Sequence, residues 1–156
     1  MGSEGVATGR PRGGSVVLPA AVRAEIVSHA RAALPNEACG LLLAAAPGST
    51  GRDRSPRFAP VRNAVQSPHR FEMDPLDLLA VLVEADERGE TVLAVVHSHV
   101  ATAAEPSAAD LAGVPFADSA QIIVSLAPDR ADADTDAPEL RAWRMTGTLA
   151  QELDLD

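Results

Sequence analysis

One stretch constrains this chain more than any other: Val95-Val96-His97-Ser98-His99-Val100-Ala101-Thr102-Ala103-Ala104-Glu105-Pro106-Ser107-Ala108-Ala109-Asp110. The run that leads into it, TVLAVV from Thr91 to Val96, is apolar and β-branched enough to be a buried strand. Residues two apart on a strand project to the same face, so His97 and His99 leave its end side by side. The residues from Val100 to Ser107 are small, polar or proline and predict a loop. Ser107-Ala108-Ala109-Asp110-Leu111 then reads as the first turn of a helix. Residues three apart share a face there, so Ser107 and Asp110 can look back at the two imidazoles. Two neutral imidazoles and one carboxylate make a zinc site with the fourth position open, as catalytic zinc sites have, whereas a structural site is closed by four protein ligands. Ser-x-x-Asp is also a helix capping box, and the two roles are compatible.

At these residues the chain resembles the JAMM (MPN+) zinc metalloproteases. Their signature is an upstream glutamate followed by His-x-His-x7-Ser-x2-Asp, and His97, His99, Ser107 and Asp110 match it at full spacing. Asn36-Glu37-Ala38-Cys39-Gly40-Leu41-Leu42 resembles the strand start that carries the family glutamate. Read alone, Glu37 is a solvated turn residue; the resemblance makes it the general base. The likeness spans roughly Ser15 to Trp143 and is greatest to the small bacterial members that act on ubiquitin-like sulfur-carrier proteins. One departure is Val100, where many members have proline; it alters the rim of the site and removes no ligand. The resemblance implies Zn2+ held by His97, His99 and Asp110, with Glu37 moving the proton and Ser107 stabilising the oxyanion. It also implies a sulfur-carrier protein as substrate, cut after its C-terminal Gly-Gly to release cysteine or a short extension. The alternatives are an inactive scaffold of the same fold and a deubiquitinase-like isopeptidase. An inactive scaffold typically lacks a ligand or the glutamate, and all five residues are present here.

Other zinc chemistries fail on residue count. A nucleobase deaminase needs Pro-Cys-x-x-Cys, and Cys39 is the single cysteine. A His-Glu-x-x-His protease motif is absent. One cysteine also rules out an internal disulfide and points to a reducing compartment, so the expected location is cytoplasmic. Cys39 reads as a packing thiol. The net charge of -9 removes the electrostatic footprint needed for nucleic acid or an anionic membrane surface. No apolar run approaches the ~18 residues of a membrane span.

The 156 residues are enough for one core. Residues 1–14 read as a disordered tail without a targeting segment, and 15–156 as one domain. Ser15–Leu18 predicts a strand. Pro19 opens a helix to Leu34 whose stripe is Val22, Ile26, Ala30 and Ala33 or Leu34. His29 lies on its boundary. Glu37–Ala46 is a buried strand and Pro47–Pro56 a loop. Arg57–Val61 is an edge strand, since Pro60 lacks a donor. Asn63 reads either as a turn residue or, by the resemblance, as a neighbour of the substrate groove. His69–Met73 predicts another short strand, with His69 structural. Asp74-Pro75 caps a second helix that ends near Gly89. After the metal segment come strands at Gln121–Leu126, Glu139–Met145 and about Thr148–Leu153. Pro128–Pro138 carries four aspartates but lacks the glycine and closing glutamate of a calcium loop. The element order predicts a single α/β domain with a mixed sheet and helices packed on it. The resemblance adds curvature to that sheet and a main helix on each side.

Overall fold

The path of the chain follows from which strands are apolar on both faces and which on one. The computed structural model describes residues 14–48, 55–113, 116 and 119–156. Along the chain run β1 (Ser15–Val16), α1 (Ala20–Ala33), β2 (Cys39–Ala45), β3 (Arg57–Val61) and α2 (Pro75–Glu87). These are followed by β4 (Glu90–His99), α3 (Ala108–Ala112), β5 (Ala120–Ser125), β6 (Glu139–Thr146) and β7 (Leu149–Leu155). A 3-10 turn at Pro128–Arg130 precedes β6.

The strands form one seven-stranded sheet in the order β1-β7-β6-β5-β4-β2-β3. It is mixed: β4 with β5 and β1 with β7 are parallel, and the other pairs are antiparallel. The tripeptide Leu41-Leu42-Leu43 explains the layers. Leu42 faces α1, with Val22, Ile26, Ala30, Val96, Ile122, Val124 and Leu153. Leu41 and Leu43 face α2, with Ala59, Ala85 and Val95. A strand buried on both sides reads as a continuous apolar run instead of an alternating one. The sheet is thus sandwiched between two main helices, as the family resemblance implies.

Parallel neighbours cannot be joined by a tight turn and need a crossover connection. Between β4 and β5 that crossover is the loop after His99 together with α3, so the His-x-His…Ser-x-x-Asp segment is itself the crossover. It leaves the sheet at the carboxyl end of a central strand, where open sheets build their sites.

Several expectations shift. His69–Met73 is not a strand; its only pairing is an isolated bridge between Met73 and Asn63. Its backbone is instead engaged by Asn63, whose side chain accepts from Glu72 N–H and donates to the Arg70 carbonyl. Pro19 stands one residue before α1, as its N-cap. Leu34 falls off the stripe and is exposed. Asp74 caps α2 as expected, accepting from the N–H groups of Leu76 and Asp77, and Gly89 takes φ +68° just past its end. The expected N-terminal tail lies outside the described residues except for Gly14, as does most of the 47–56 loop. No described helix is long and apolar enough to cross a membrane.

Candidate metal centre

Alternation along β4 sends Val95, His97 and His99 to the α2 side of the sheet, and both histidines are buried. Phe71 stacks on His97 with ring centroids 4.7 Å apart. The Nδ1 of His99 donates to the Ala103 carbonyl at 2.8 Å. A carbonyl can only accept, so the neutral ring carries its lone pair on Nε2. Asp110 is delivered by α3, a helix of five residues held by a reciprocal cap. Ser107 Oγ accepts from Asp110 N–H at 3.1 Å, and Asp110 Oδ2 accepts from Ser107 N–H at 2.9 Å.

The three side chains converge. His97 Nε2 lies 3.2 Å from His99 Nε2 and 3.2 Å from Asp110 Oδ1. His99 Nε2 lies 3.0 Å from Asp110 Oδ2. One ligand atom from each residue falls within 4.8 Å of the others. In the neutral ring the His99 lone pair faces the carboxylate, a repulsive arrangement that a proton or a metal ion between them relieves. Ligands about 2.0–2.1 Å from a tetrahedral zinc stand roughly 3.3–3.4 Å apart, close to the separations seen. Two imidazoles and one carboxylate fit zinc by donor type as well as by spacing. Burial opposes charge on the His99 imidazole, yet hydrogen bonds with Asp110 and the Ala103 carbonyl hold its pKa above the usual value, so a metal there replaces a proton. Burial holds the His97 imidazole below its usual pKa, against the opposing pull of Asp110. Burial opposes the Asp110 charge, yet hydrogen bonds with His97 and His99 hold its carboxyl well below the usual range.

Glu37 sits two residues before β2, and its peptide is held at both ends. Its N–H donates to the Ser67 carbonyl at 2.8 Å, and its carbonyl accepts from Asn63 Nδ2 at 3.1 Å. The residue is 4% exposed, and Oε2 is buried without a hydrogen-bond partner among the described residues. Burial pushes the Glu37 carboxyl up to about 7, with His99 pulling down and Asp110 pushing further up. Together with His99 and Ser107 it lines a cavity of about 250 Å³. A second cavity of about 470 Å³ lies beside His97 and Asp110, walled by Phe71, Met73, Leu78 and Gln121.

All five residues singled out in the sequence therefore meet in one region. Asn63 is more than a turn residue, since it ties the Glu37 peptide to the 63–72 segment. Cys39 is a packing thiol: it is buried, donates to the Val61 carbonyl at 3.3 Å, and burial lifts its pKa to about 12. His29 lies at a boundary and faces the Cys39 carbonyl. His69, read as structural, reaches the rim of the Glu37 cavity. Sequence reasoning missed Gln121, whose Nε2 is buried without a partner among the described residues, in the cavity beside His97 and Asp110. The available signal was a polar residue opening the buried strand QIIVSL.

Residues 19–146 match the family model described as prokaryotic homologs of the JAB domain. A CysO-cysteine peptidase of Mycobacterium tuberculosis is 34% identical over 128 residues, covering 81% of each protein. A desampylase of Pyrococcus furiosus is 40% identical over 78 residues, 50% of this chain and 51% of that protein. Among solved structures, a protein from Desulfitobacterium hafniense aligns over 90% of both chains at 33% identity, with a TM-score of 0.73. A JAB1/MPN domain protein from Archaeoglobus fulgidus shares the fold at 17% identity and a TM-score of 0.50, over 92% of this chain and 99% of that one. By the family match across most of its length, this chain belongs to the prokaryotic homologs of the JAB domain and is a small member of the JAMM family.

Proposed function

We propose that this protein is a zinc metallopeptidase that hydrolyses the bond after the C-terminal Gly-Gly of a small ubiquitin-like sulfur-carrier protein. The observation that carries the reading is the convergence of His97, His99 and Asp110 near Glu37, whose buried Oε2 has no hydrogen-bond partner among the described residues. The kinship to a CysO-cysteine peptidase and a desampylase supports the choice of substrate class. Zinc held by His97, His99 and Asp110 would supply Lewis acidity, polarising the scissile carbonyl and acidifying water. Glu37 takes the proton of the attacking water, and its elevated pKa suits a group that must accept and then give up a proton. It passes that proton to the leaving nitrogen as the carbon–nitrogen bond breaks. Ser107 Oγ already accepts from Asp110 N–H, which leaves its hydroxyl hydrogen for the developing oxyanion.

The two cavities divide the substrate. The leaving amine belongs in the smaller one, where Glu37 lies. The acyl tail then occupies the larger, where the Gln121 amide would donate to one of its carbonyls. The larger cavity is walled by Phe71, Met73 and Leu78 beside His97 and Asp110, so a glycine tail, without side chains of its own, can pass close to the candidate ligands. Residues 15–156 would form the peptidase domain, with residues 1–14 as a tail, and the setting is cytoplasmic.

Mass spectrometry tests this directly. Zinc-loaded enzyme is incubated separately with a carrier–cysteine adduct, a carrier bearing a few extra C-terminal residues, and diubiquitin. Cleavage after Gly-Gly in a carrier substrate is expected. Cleavage of diubiquitin alone would move the assignment to a deubiquitinase-like isopeptidase, and cleavage of none would return it to an inactive scaffold.

A further inference from the structure

The loop between His99 and Ser107 is built mostly of small residues, and side chains from β5 and β6 grip it from outside. Ala104 is fully buried against Ile123 and Trp143. Its N–H donates to Glu139 Oε1 at 2.8 Å, and its carbonyl accepts from Trp143 Nε1 at 2.9 Å. Ser125 Oγ donates to the Thr102 carbonyl at 2.6 Å. The residue between these anchors is Ala103, whose carbonyl orients the His99 ring at 2.8 Å. Arg141 lies 4.6 Å over the Trp143 ring and pairs with Glu105 on the same loop at 2.8 Å. His97 has no equivalent support: its Nδ1 is buried without a partner among the described residues, and a stacked ring orients it instead.

We propose that Trp143 and Glu139 form a staple on Ala104 that positions His99 through the Ala103 carbonyl and so sets the affinity of the centre for zinc. The inference rests on the zinc reading above. Both residues are positioning residues, since neither touches the ligand atoms. A hydrogen bond to the second imidazole nitrogen fixes tautomer and orientation, and losing such an outer partner weakens metal binding by about 10–100-fold. Here the partner is a main-chain carbonyl that cannot be mutated, so its sensitivity is displaced onto the residues that hold the peptide.

The test is zinc affinity by chelator competition on the full chain, with the melting temperature of each metal-free variant measured in parallel. Trp143→Phe keeps an aromatic ring, though a smaller one, and removes the donor; Glu139→Ala removes the acceptor; Glu139→Gln retains a carbonyl oxygen in its place. Val22→Ala, on the buried face of α1, serves as a destabilised control remote from the loop. The staple predicts roughly 10–100-fold weaker zinc binding in Trp143→Phe and Glu139→Ala, with Glu139→Gln and Val22→Ala near the parent. Parent-like affinity in Trp143→Phe and Glu139→Ala would refute the staple and leave the zinc reading intact. Equal losses in Glu139→Gln and Glu139→Ala would also refute it, as would an equal loss in Val22→Ala. A parent that binds no zinc would remove both. Should Trp143→Phe fail to fold, the Glu139 pair decides alone.

Discussion

A carboxylate that is buried with one oxygen unpartnered is costly wherever it is charged, and Glu37 is such a group, its Oε2 without a partner among the described residues. Its folded pKa, about 7, stands above the ordinary 4.5, so the metal-free fold binds a proton there that the unfolded chain releases. The contribution to stability is therefore greatest below about 4.5 and is lost as pH rises through 7. Replacing Glu37 by Gln removes the titration. The melting temperature of metal-free Glu37→Gln, relative to the parent, should accordingly climb between pH 5 and pH 8. A difference that stays flat with pH would show that the carboxyl is not perturbed. The same variant, loaded with zinc, should lose about 10²–10⁴-fold in hydrolysis while keeping its metal, which elemental analysis can check. Gain in stability with loss of activity is what a functional residue held in a hostile site predicts.

At the scale of elements, α3 and the β2–β3 pair show two ways of placing a residue. A five-residue helix cannot persist on propensity alone, so α3 depends on its reciprocal cap. The cap shares Asp110 Oδ2 with the candidate metal centre, which makes Ser107→Ala a double lesion. It should cost ~0.5–2 kcal/mol of stability through the lost cap, besides its effect on turnover. Thermal denaturation and kcat, measured on one preparation, separate the two. In β2, Gly40 sits opposite Pro60 on β3. A Cβ there would come within 2.6 Å of the Ala59 carbonyl oxygen and of the Phe58 ring. The carbonyl belongs to the backbone and cannot rotate away. Gly40→Ala should thus cost about 1–3 kcal/mol, as overpacking does, and depress the melting temperature by several degrees. An unchanged melting temperature would mean that β3 gives way freely.

For the whole molecule, the centre joins the end of β4, the crossover that carries α3, and the approach to β2. Zinc binding should therefore report on global stability. With free zinc at 100 times its dissociation constant, linkage adds about 2.7 kcal/mol, or roughly 5–11 °C for a chain of this size. Chelation should reverse the shift, and His97→Ala should show none in calorimetry. Zinc-dependent stabilisation of His97→Ala equal to that of the parent would place the metal elsewhere.

Much of this was legible along the chain because it depends on local spacing. Period-two alternation paired His97 with His99, the i, i+3 spacing of a helical turn paired Ser107 with Asp110, and apolar runs located β2, β4 and β5. What spacing along the chain does not contain is the sheet order. Only the register of β4 against β5 and of β5 against β6 brings Gln121, Glu139 and Trp143 to the same face as the histidines. Glu37 belongs to both accounts. The family resemblance named it, but its burial and elevated pKa, with His99 and Asp110 beside it, exist only in the folded chain. The predicted strand at His69–Met73 failed for a related reason: its apolar alternation is real, yet the tertiary structure uses Phe71 and Met73 as cavity wall and Asn63 to bond the backbone of Arg70 and Glu72. Local periodicity determines which way a side chain points, whereas contacts between residues distant in sequence decide what it meets there.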